Sequence, residues 1–210
     1  MNKLLNHLSR QEGWHFYLLI GLVTFISFLV NGYQYSSSDL SLYLSYLPVY
    51  EGRHVYHPAD LILLAKQAGG HYYSFGLFPV LLLKKFISVP WACLIIHLIC
   101  QYLICFTFFK FVECVFDRKV AWMALGLLAF KKMVAGAPVG TLEDVFSVRS
   151  IALPMLFWSL REFMKKRYLA AFFWAGIAGN FHLLSAGSLL MIMSLALVWE
   201  IGFSQWKKWL

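Results

Sequence analysis

The chain has 210 residues, of which 60% are hydrophobic and 13% are charged, and its net charge is +8 at pH 7. Soluble domains carry about 25% charged residues, so this composition excludes an ordinary soluble fold. The basic residues cluster at the ends of apolar blocks, where anionic headgroups and cytoplasmic retention explain them without a nucleic-acid partner.

The apolar blocks run for roughly 16 to 24 residues, enough to cross a hydrocarbon core about 30 Å thick. They lack the period-2 alternation of a barrel strand, so they predict helices. The first predicted span is 14–31, followed by a large outer loop, 32–88. Within that loop, 39–50 and 58–68 place apolar residues at helical spacing, which indicates amphipathic interfacial helices packed on the membrane surface.

The rest of the chain is predicted to form five more spans. Before them, 72–86 has about twelve apolar residues interrupted by Pro79, which suits an interfacial or re-entrant segment better than a crossing. The last apolar stretch, 168–204, would be about 55 Å long as one helix, so it is divided in two. The five predicted spans are 89–112, 120–136, 150–163, 168–184 and 186–203. The predicted fold is therefore all-α, a polytopic transmembrane bundle of about six spans in one integral membrane domain, 1–210.

The distribution of Lys and Arg predicts the orientation of this bundle. With the N-terminus inside and 72–86 not crossing, eleven basic residues lie on the inner side and seven on the outer side. If 72–86 crossed, the basic cluster 161–167 would move outside and reverse the bias. We expect an integral protein of a bacterial inner membrane with both termini cytoplasmic.

Two carboxylates in the outer loop are candidate catalytic residues. Asp39 follows three serines and could cap a helix or act as a general base or metal ligand. Asp60, in His-Pro-Ala-Asp, could interact favourably with a helix dipole, or it could take part with Asp39 in general-base or metal chemistry. A divalent metal is possible, but its ligands are not identified, and the spacing of the loop histidines matches no zinc pattern.

Two further residues are candidate substrate-binding groups. Arg149 at the outer entry of a span could bind a lipid phosphate, or could anchor at the interface or pair with Asp144. His182 lies among small residues in the last apolar stretch, where it could line a wet pocket or satisfy a neighbouring helix. All four candidates fall on the outer side of the six-span arrangement, so we expect them to meet around one cavity.

The remaining polar and reactive groups within apolar runs are interpreted as structural. His97 within the second span is expected to be a structural histidine. The four cysteines, without a CxxC pair, are expected to be small buried hydrophobes: Cys93, Cys100, Cys105 and Cys114. The sequence has no Walker loop, GxGxxG, GxSxG or HExxH motif, which disfavours ATP-driven transport and standard hydrolase chemistry.

Three sequence features together resemble the GT-C glycosyltransferases, polytopic enzymes that use polyprenyl-phosphate-linked sugars. The first span is followed by an outer loop with an early acid and amphipathic helices. Ser147-Val-Arg-Ser-Ile-Ala-Leu-Pro154 then opens a span, a basic turn from Arg161 to Arg167 follows, and Gly176-Ile-Ala-Gly-Asn-Phe-His182 closes the next. The later stretches are similar to bacterial GT-C-like membrane proteins.

The resemblance implies a function for the outer loop. In this family the first-loop acid is the proposed general base or metal ligand, a position best matched by Asp39 and next by Asp60. It implies a glycosyltransferase, or a truncated part of one, that transfers sugar from a polyprenyl-phosphate donor at the outer face. The alternative is a non-catalytic subunit that packs with a partner membrane protein through the small residues 175–179. A small transporter is disfavoured because the two halves show no inverted hydropathy repeat.

Overall fold

The computed structural model describes residues 13–35, 44, 75–130 and 143–206, with only the backbone considered for 201 and 203–206. All regular structure in these residues is helical. The elements are α1 (Trp14–Asn31), a 3-10 turn (Phe75–Leu77), α2 (Phe78–Leu83), α3 (Val89–Val115), α4 (Arg118–Leu128), α5 (Val148–Met164), α6 (Tyr168–Gly179) and α7 (Leu183–Trp206).

Within the described residues, three helices are long and apolar enough to cross a membrane: α1, α3 and α7. The longest, α3, has 27 residues and is about 40 Å long at 1.5 Å per residue. By contrast, α4 and α6 have 11 and 12 residues, which corresponds to about 17 and 18 Å. The structure therefore supports an all-helical integral membrane protein, while the number of six spans remains a prediction.

The helices α3 and α5 run parallel to each other through the centre of the bundle. In the middle of α3, the Gln101 side-chain amide donates to the carbonyl of Glu143, five residues before α5, at 2.9 Å. Farther along, the Phe108 and Phe157 rings lie 5.3 Å apart. The segment that leads into α5 therefore lies beside the first half of α3, where Val145 and Phe146 share an apolar cluster with Cys93 and Ile96.

The helices α1 and α4 pack on one side of α3. Phe16 near the start of α1 contacts Phe109 near the end of α3, with ring centroids 5.1 Å apart. At the other end of α1, Asn31 Nδ2 and Ser27 Oγ both donate to the Ala129 carbonyl, at 2.9 and 2.8 Å. Both helices therefore run antiparallel to α3.

The helices α6 and α7 pack on α5 through small residues. Ala171, Ala175 and Ala178 of α6 are fully buried. A Cβ placed on Gly179 would lie 3.6 Å from the Ala186 side chain of α7. The small residues that sequence analysis assigned to partner packing are thus largely used within the chain.

Because the helices run in alternating directions, their ends and the segments that connect them lie at two opposite ends of the bundle. We call "the polar end" the end formed by residues 31–35, 89–101, 129–130, 143–150 and 179–186. At this end, the Gln34 amide donates to the Asp144 carbonyl at 2.7 Å, and the Phe75 amide donates to the Asn180 carbonyl at 3.0 Å. Both described edges of the long loop therefore lie at the polar end.

We call "the basic end" the opposite end, formed by residues 13–17, 108–119, 160–169 and 197–206. Its carboxylates are paired with several basic side chains. Glu162, only 4% exposed, accepts from Arg161 at 2.8 Å and from Arg167 at 3.4 Å. Glu200 near the end of α7 pairs with Lys166 at 2.9 Å, which brings the last described helix to the same end as the start of α1.

Several helix boundaries differ from the predicted spans. The described part of 72–86 is a 3-10 turn followed by the six residues of α2, about 9 Å long and too short to cross. The helix within 120–136 is α4, which ends at Leu128, and 131–142 lie outside the described residues. The last apolar stretch breaks at 180–182, a few residues before the predicted division.

Candidate functional site

The first turn of α5 carries the candidate anion-binding group. Arg149 is half-buried, and its Nη1 lies 3.3 Å from Glu143 Oε1. Glu143, six residues upstream, is therefore a carboxylate partner of Arg149 that was not expected from the sequence, and a pair with Asp144 stays a prediction. A guanidinium held at a helix start is suited to bidentate recognition of a phosphate.

Two buried serines hold Glu143 independently of Arg149. The hydroxyl of Ser147 donates to Glu143 Oε2, and the Ser150 hydroxyl lies 3.5 Å from the same oxygen. Ser147 also starts α5, because its Oγ accepts from the Ser150 amide at 3.2 Å and satisfies a free N–H of the first turn. The carboxylate thus keeps two hydroxyl partners at its second oxygen whichever way the guanidinium turns.

A second polar group lies beside this pair, between α1 and α3. The Tyr33 and His97 rings are 5.0 Å apart, and His97 is only 2% exposed. Tyr33 Oη and His97 Nδ1 are buried without a hydrogen-bond partner among the described residues. Burial raises the pKa of Tyr33 above its ordinary value, and Cys93 and Tyr35 add to the shift, so the phenol stays protonated at neutral pH.

His182 lies at the break between α6 and α7 and caps α7. Its Nδ1 accepts from the Ser185 amide at 3.2 Å, and its own amide donates to the Ala178 carbonyl at 2.9 Å. Because Nδ1 is an acceptor here, this ring nitrogen carries no proton. The predicted pocket residue therefore also has a structural role at the polar end.

The structure brings two of the four predicted site residues to one end of the bundle. Arg149 and His182 both lie at the polar end, on helices that pack together through Ala152, Ala178 and Ala186. Asp39 and Asp60 lie outside the described residues. Within the described part of the chain, no group of three His, Cys, Asp or Glu residues could hold a metal ion, so a divalent metal remains a prediction tied to the loop acids.

Sequence analysis missed Tyr33, Gln101 and the serine pair. His97 and Gln101 are four residues apart, hence on one face of α3, and this spacing could have identified a polar face within an apolar run. The prediction that the cysteines are small buried residues is confirmed for Cys93, Cys100 and Cys105, whereas Cys114 is half-buried.

Chemically, the polar end combines a cation with neutral hydrogen-bonding groups at a membrane boundary. Comparison with known proteins gives no match to a family model, a curated protein or a solved structure. The guanidinium of Arg149 can bind an anion, and the Tyr33 and His97 side chains can bind a neutral polar group. These groups and their position at the polar end are therefore the basis for a proposed function.

Proposed function

We propose that this chain is a GT-C-like membrane glycosyltransferase, or a part of one, that handles a polyprenyl-phosphate-linked sugar at the polar end. The observation that carries the proposal is the Arg149 pair: a half-buried guanidinium whose carboxylate partner is held separately by two serines. Such an arginine can turn from Glu143 to a lipid phosphate without leaving a bare buried carboxylate behind.

The location of the polar end suits a substrate with one lipid part and one polar part. The apolar helices α1, α3 and α7 provide the lipid-facing surface, with large exposed residues such as Leu29, Ile99 and Leu184. A polyprenyl tail can lie along such a surface while its phosphate reaches Arg149. After transfer, the polyprenyl phosphate stays in the membrane, which favours a site at this boundary.

Chain connectivity supports a role for Asp39 at the same site. The described chain reaches the polar end at Gln34, and Asp39 follows Tyr35 by four residues. Four residues span at most about 14 Å, whereas α3 alone is about 40 Å long. The proposal therefore assigns Asp39 to the polar end, where as general base it would accept the proton of the attacking hydroxyl while the sugar–phosphate bond breaks. Asp60 would assist by orienting the acceptor or a metal.

The proposed orientation places the polar end outside and the basic end in the cytoplasm. The cluster at the turn between α5 and α6 is the densest group of basic residues, and basic residues are retained on the cytoplasmic side. The alternative function, a non-catalytic subunit, drew its support from small residues on α6. Ala175 and Ala178 are buried within the chain itself, which weakens that support, whereas Gly176 of the same run is exposed.

Phosphate binding by Arg149 can be measured directly. In nanodiscs of phosphatidylcholine, Arg149→Ala should weaken binding of a polyprenyl phosphate by about tenfold or more, because charge-assisted hydrogen bonds contribute about 1.5–3 kcal/mol. The matched control is Lys85→Ala, which removes the same charge from an exposed turn at the same end. Equal losses in the two variants would show a nonspecific charge effect and contradict the proposal.

A further inference from the structure

Two adjacent aromatic rings at the polar end each carry a buried polar atom, next to the Arg149 pair. These atoms are the Tyr33 hydroxyl and Nδ1 of His97, on rings 5.0 Å apart. Neither has a hydrogen-bond partner among the described residues. Tyr33 follows the end of α1, and His97 lies in the third turn of α3.

Unpaired polar atoms in such a place are unfavourable for folding. His97 is surrounded on its own helix by Cys93, Ile96 and Cys100, which belong to an apolar cluster and supply no strong partner. The nearby amide of Gln101 is used by the Glu143 carbonyl. Each unpaired group therefore carries its full desolvation penalty, and buried groups of this kind are rare enough to need a reason.

We infer that Tyr33 and His97 form a hydroxyl-binding subsite for the sugar ring of the lipid-linked donor, which rests on the function proposed above. A phenol donates and accepts, and neutral imidazole offers one donor and one acceptor nitrogen. The backbone of Val145 engages the other ring nitrogen of His97, which leaves Nδ1 as an acceptor. A sugar hydroxyl can donate to Nδ1 and accept from the Tyr33 hydroxyl. A charged ligand group is disfavoured because the ring lies against apolar side chains.

The Tyr33 and His97 pair is connected to Arg149 closely enough for one substrate to contact both. Gln101 lies one turn of α3 beyond His97 and bonds the backbone of Glu143, the residue whose carboxylate pairs with Arg149. The anion-binding group and the hydroxyl-binding pair are thus connected through Glu143. A sugar phosphate likewise carries a phosphate next to its hydroxyls.

The test compares three ligands in phosphatidylcholine nanodiscs: a polyprenyl phosphate, the same lipid carrying a hexose, and an alkyl hexoside without phosphate. Tyr33→Phe should weaken binding of the two hexose-bearing ligands about five- to tenfold and leave the polyprenyl phosphate unchanged. The control Tyr35→Phe removes a hydroxyl from an exposed side chain two residues away and should change nothing. His97→Phe should reproduce the loss, and His97→Asn should restore part of it.

Thermal stability provides an independent readout. Because Tyr33→Phe removes an unpaired hydroxyl, the melting temperature should stay level or rise while hexose binding falls. A clear fall in the melting temperature with unchanged hexose binding would overturn the inference, since the hydroxyl would then be structural.

The outcomes for the two proposals are separable. If Arg149→Ala weakens phosphate binding but Tyr33→Phe binds both hexose ligands normally, the subsite is wrong and the proposed function stands. If Tyr33→Phe weakens the alkyl hexoside while Arg149→Ala leaves phosphate binding intact, the phosphate site fails and the hydroxyl subsite stands. If the wild-type protein binds none of the three ligands, both proposals fall.

Discussion

At the scale of single residues, Glu143 decides how available Arg149 is to a ligand. The carboxylate accepts from two serine hydroxyls through one oxygen and faces the guanidinium with the other. An anion that binds Arg149 must therefore compete with Glu143 for the same donors. Glu143 is thus an intramolecular competitor of phosphate for the Arg149 guanidinium.

Replacing Glu143 tests this competition. Glu143→Gln keeps the shape of the side chain and one oxygen that can accept from the serines. It removes the charge and replaces the oxygen that faces Arg149 with an NH2 donor, so binding of polyprenyl phosphate should tighten about two- to fivefold. This corresponds to a partly exposed ion pair contributing up to about 1 kcal/mol. Calorimetric titration in nanodiscs measures the effect, and weaker binding in Glu143→Gln would mean that the carboxylate positions Arg149 for its ligand.

Replacing Asp39 tests the proposed general-base step, also at the scale of single residues. Asp39→Asn preserves the shape of the side chain but removes the base, so release of polyprenyl phosphate from the hexose-bearing lipid should fall by at least about 100-fold, the size of a general-base contribution. Donor binding should change little. Undiminished turnover in Asp39→Asn would exclude this carboxylate as the base and direct attention to Asp60.

At the scale of helices, α5 and α6 are joined by one buried side-chain hydrogen bond. The hydroxyl of Ser159, 0% exposed, donates to the Ala171 carbonyl at 2.7 Å across the helix interface. Ser188, by contrast, is exposed and donates only within its own helix, to Leu184 at 2.9 Å. The two serines form a matched pair for measuring an interhelical bond.

The loss of that bond should be measurable. Ser159→Ala should lower the free energy of unfolding in detergent micelles by about 0.5–1 kcal/mol, the usual size of an interhelical hydrogen bond in membrane proteins. Ser188→Ala should lie within about 0.3 kcal/mol of the wild-type value, since surface changes are small. If both variants were equally stable, the contact between α5 and α6 would depend on small-residue packing alone.

The elements most readily predicted from sequence are those whose hydrophobicity is continuous. The spans at 14–31 and 89–112 correspond closely to α1 and α3, because long uncharged runs leave few alternatives. The start of α5 at Val148 could also be expected from Ser147, a good N-cap residue. By contrast, α4 and α6 end next to Ala129 and Asn180, whose carbonyls accept hydrogen bonds from distant parts of the chain, and no local pattern encodes these contacts.

The candidate site was predicted only in part, for a similar reason. Arg149 could be identified from the sequence because a charged side chain at the start of an apolar run is energetically unfavourable in a membrane. The pairing of Tyr33 with His97 depends on the register of α1 against α3, which no local pattern encodes. The resemblance to GT-C enzymes supplied the roles of the loop acids, and those roles remain a proposal.

At the scale of the whole molecule, the charge distribution and the helix directions both distinguish the polar end of the bundle from the basic end. The start of α1 and the last turns of α7 both lie at the basic end, where Lys166 meets Glu200. The long loop departs from and returns to the polar end, at Tyr35 and Phe75. In the proposed orientation, these two ends face opposite sides of the membrane, with the polar end outside.

Cysteine labelling in intact bacterial cells tests this arrangement most directly. In a background with all four native cysteines replaced by alanine, single cysteines would be placed at Tyr35 and Lys165, both exposed and at opposite ends. A membrane-impermeant maleimide should label Tyr35→Cys in intact cells and Lys165→Cys only after permeabilisation. Labelling of both positions from outside, or of Lys165→Cys alone, would contradict the proposed orientation and the outer-face site built on it.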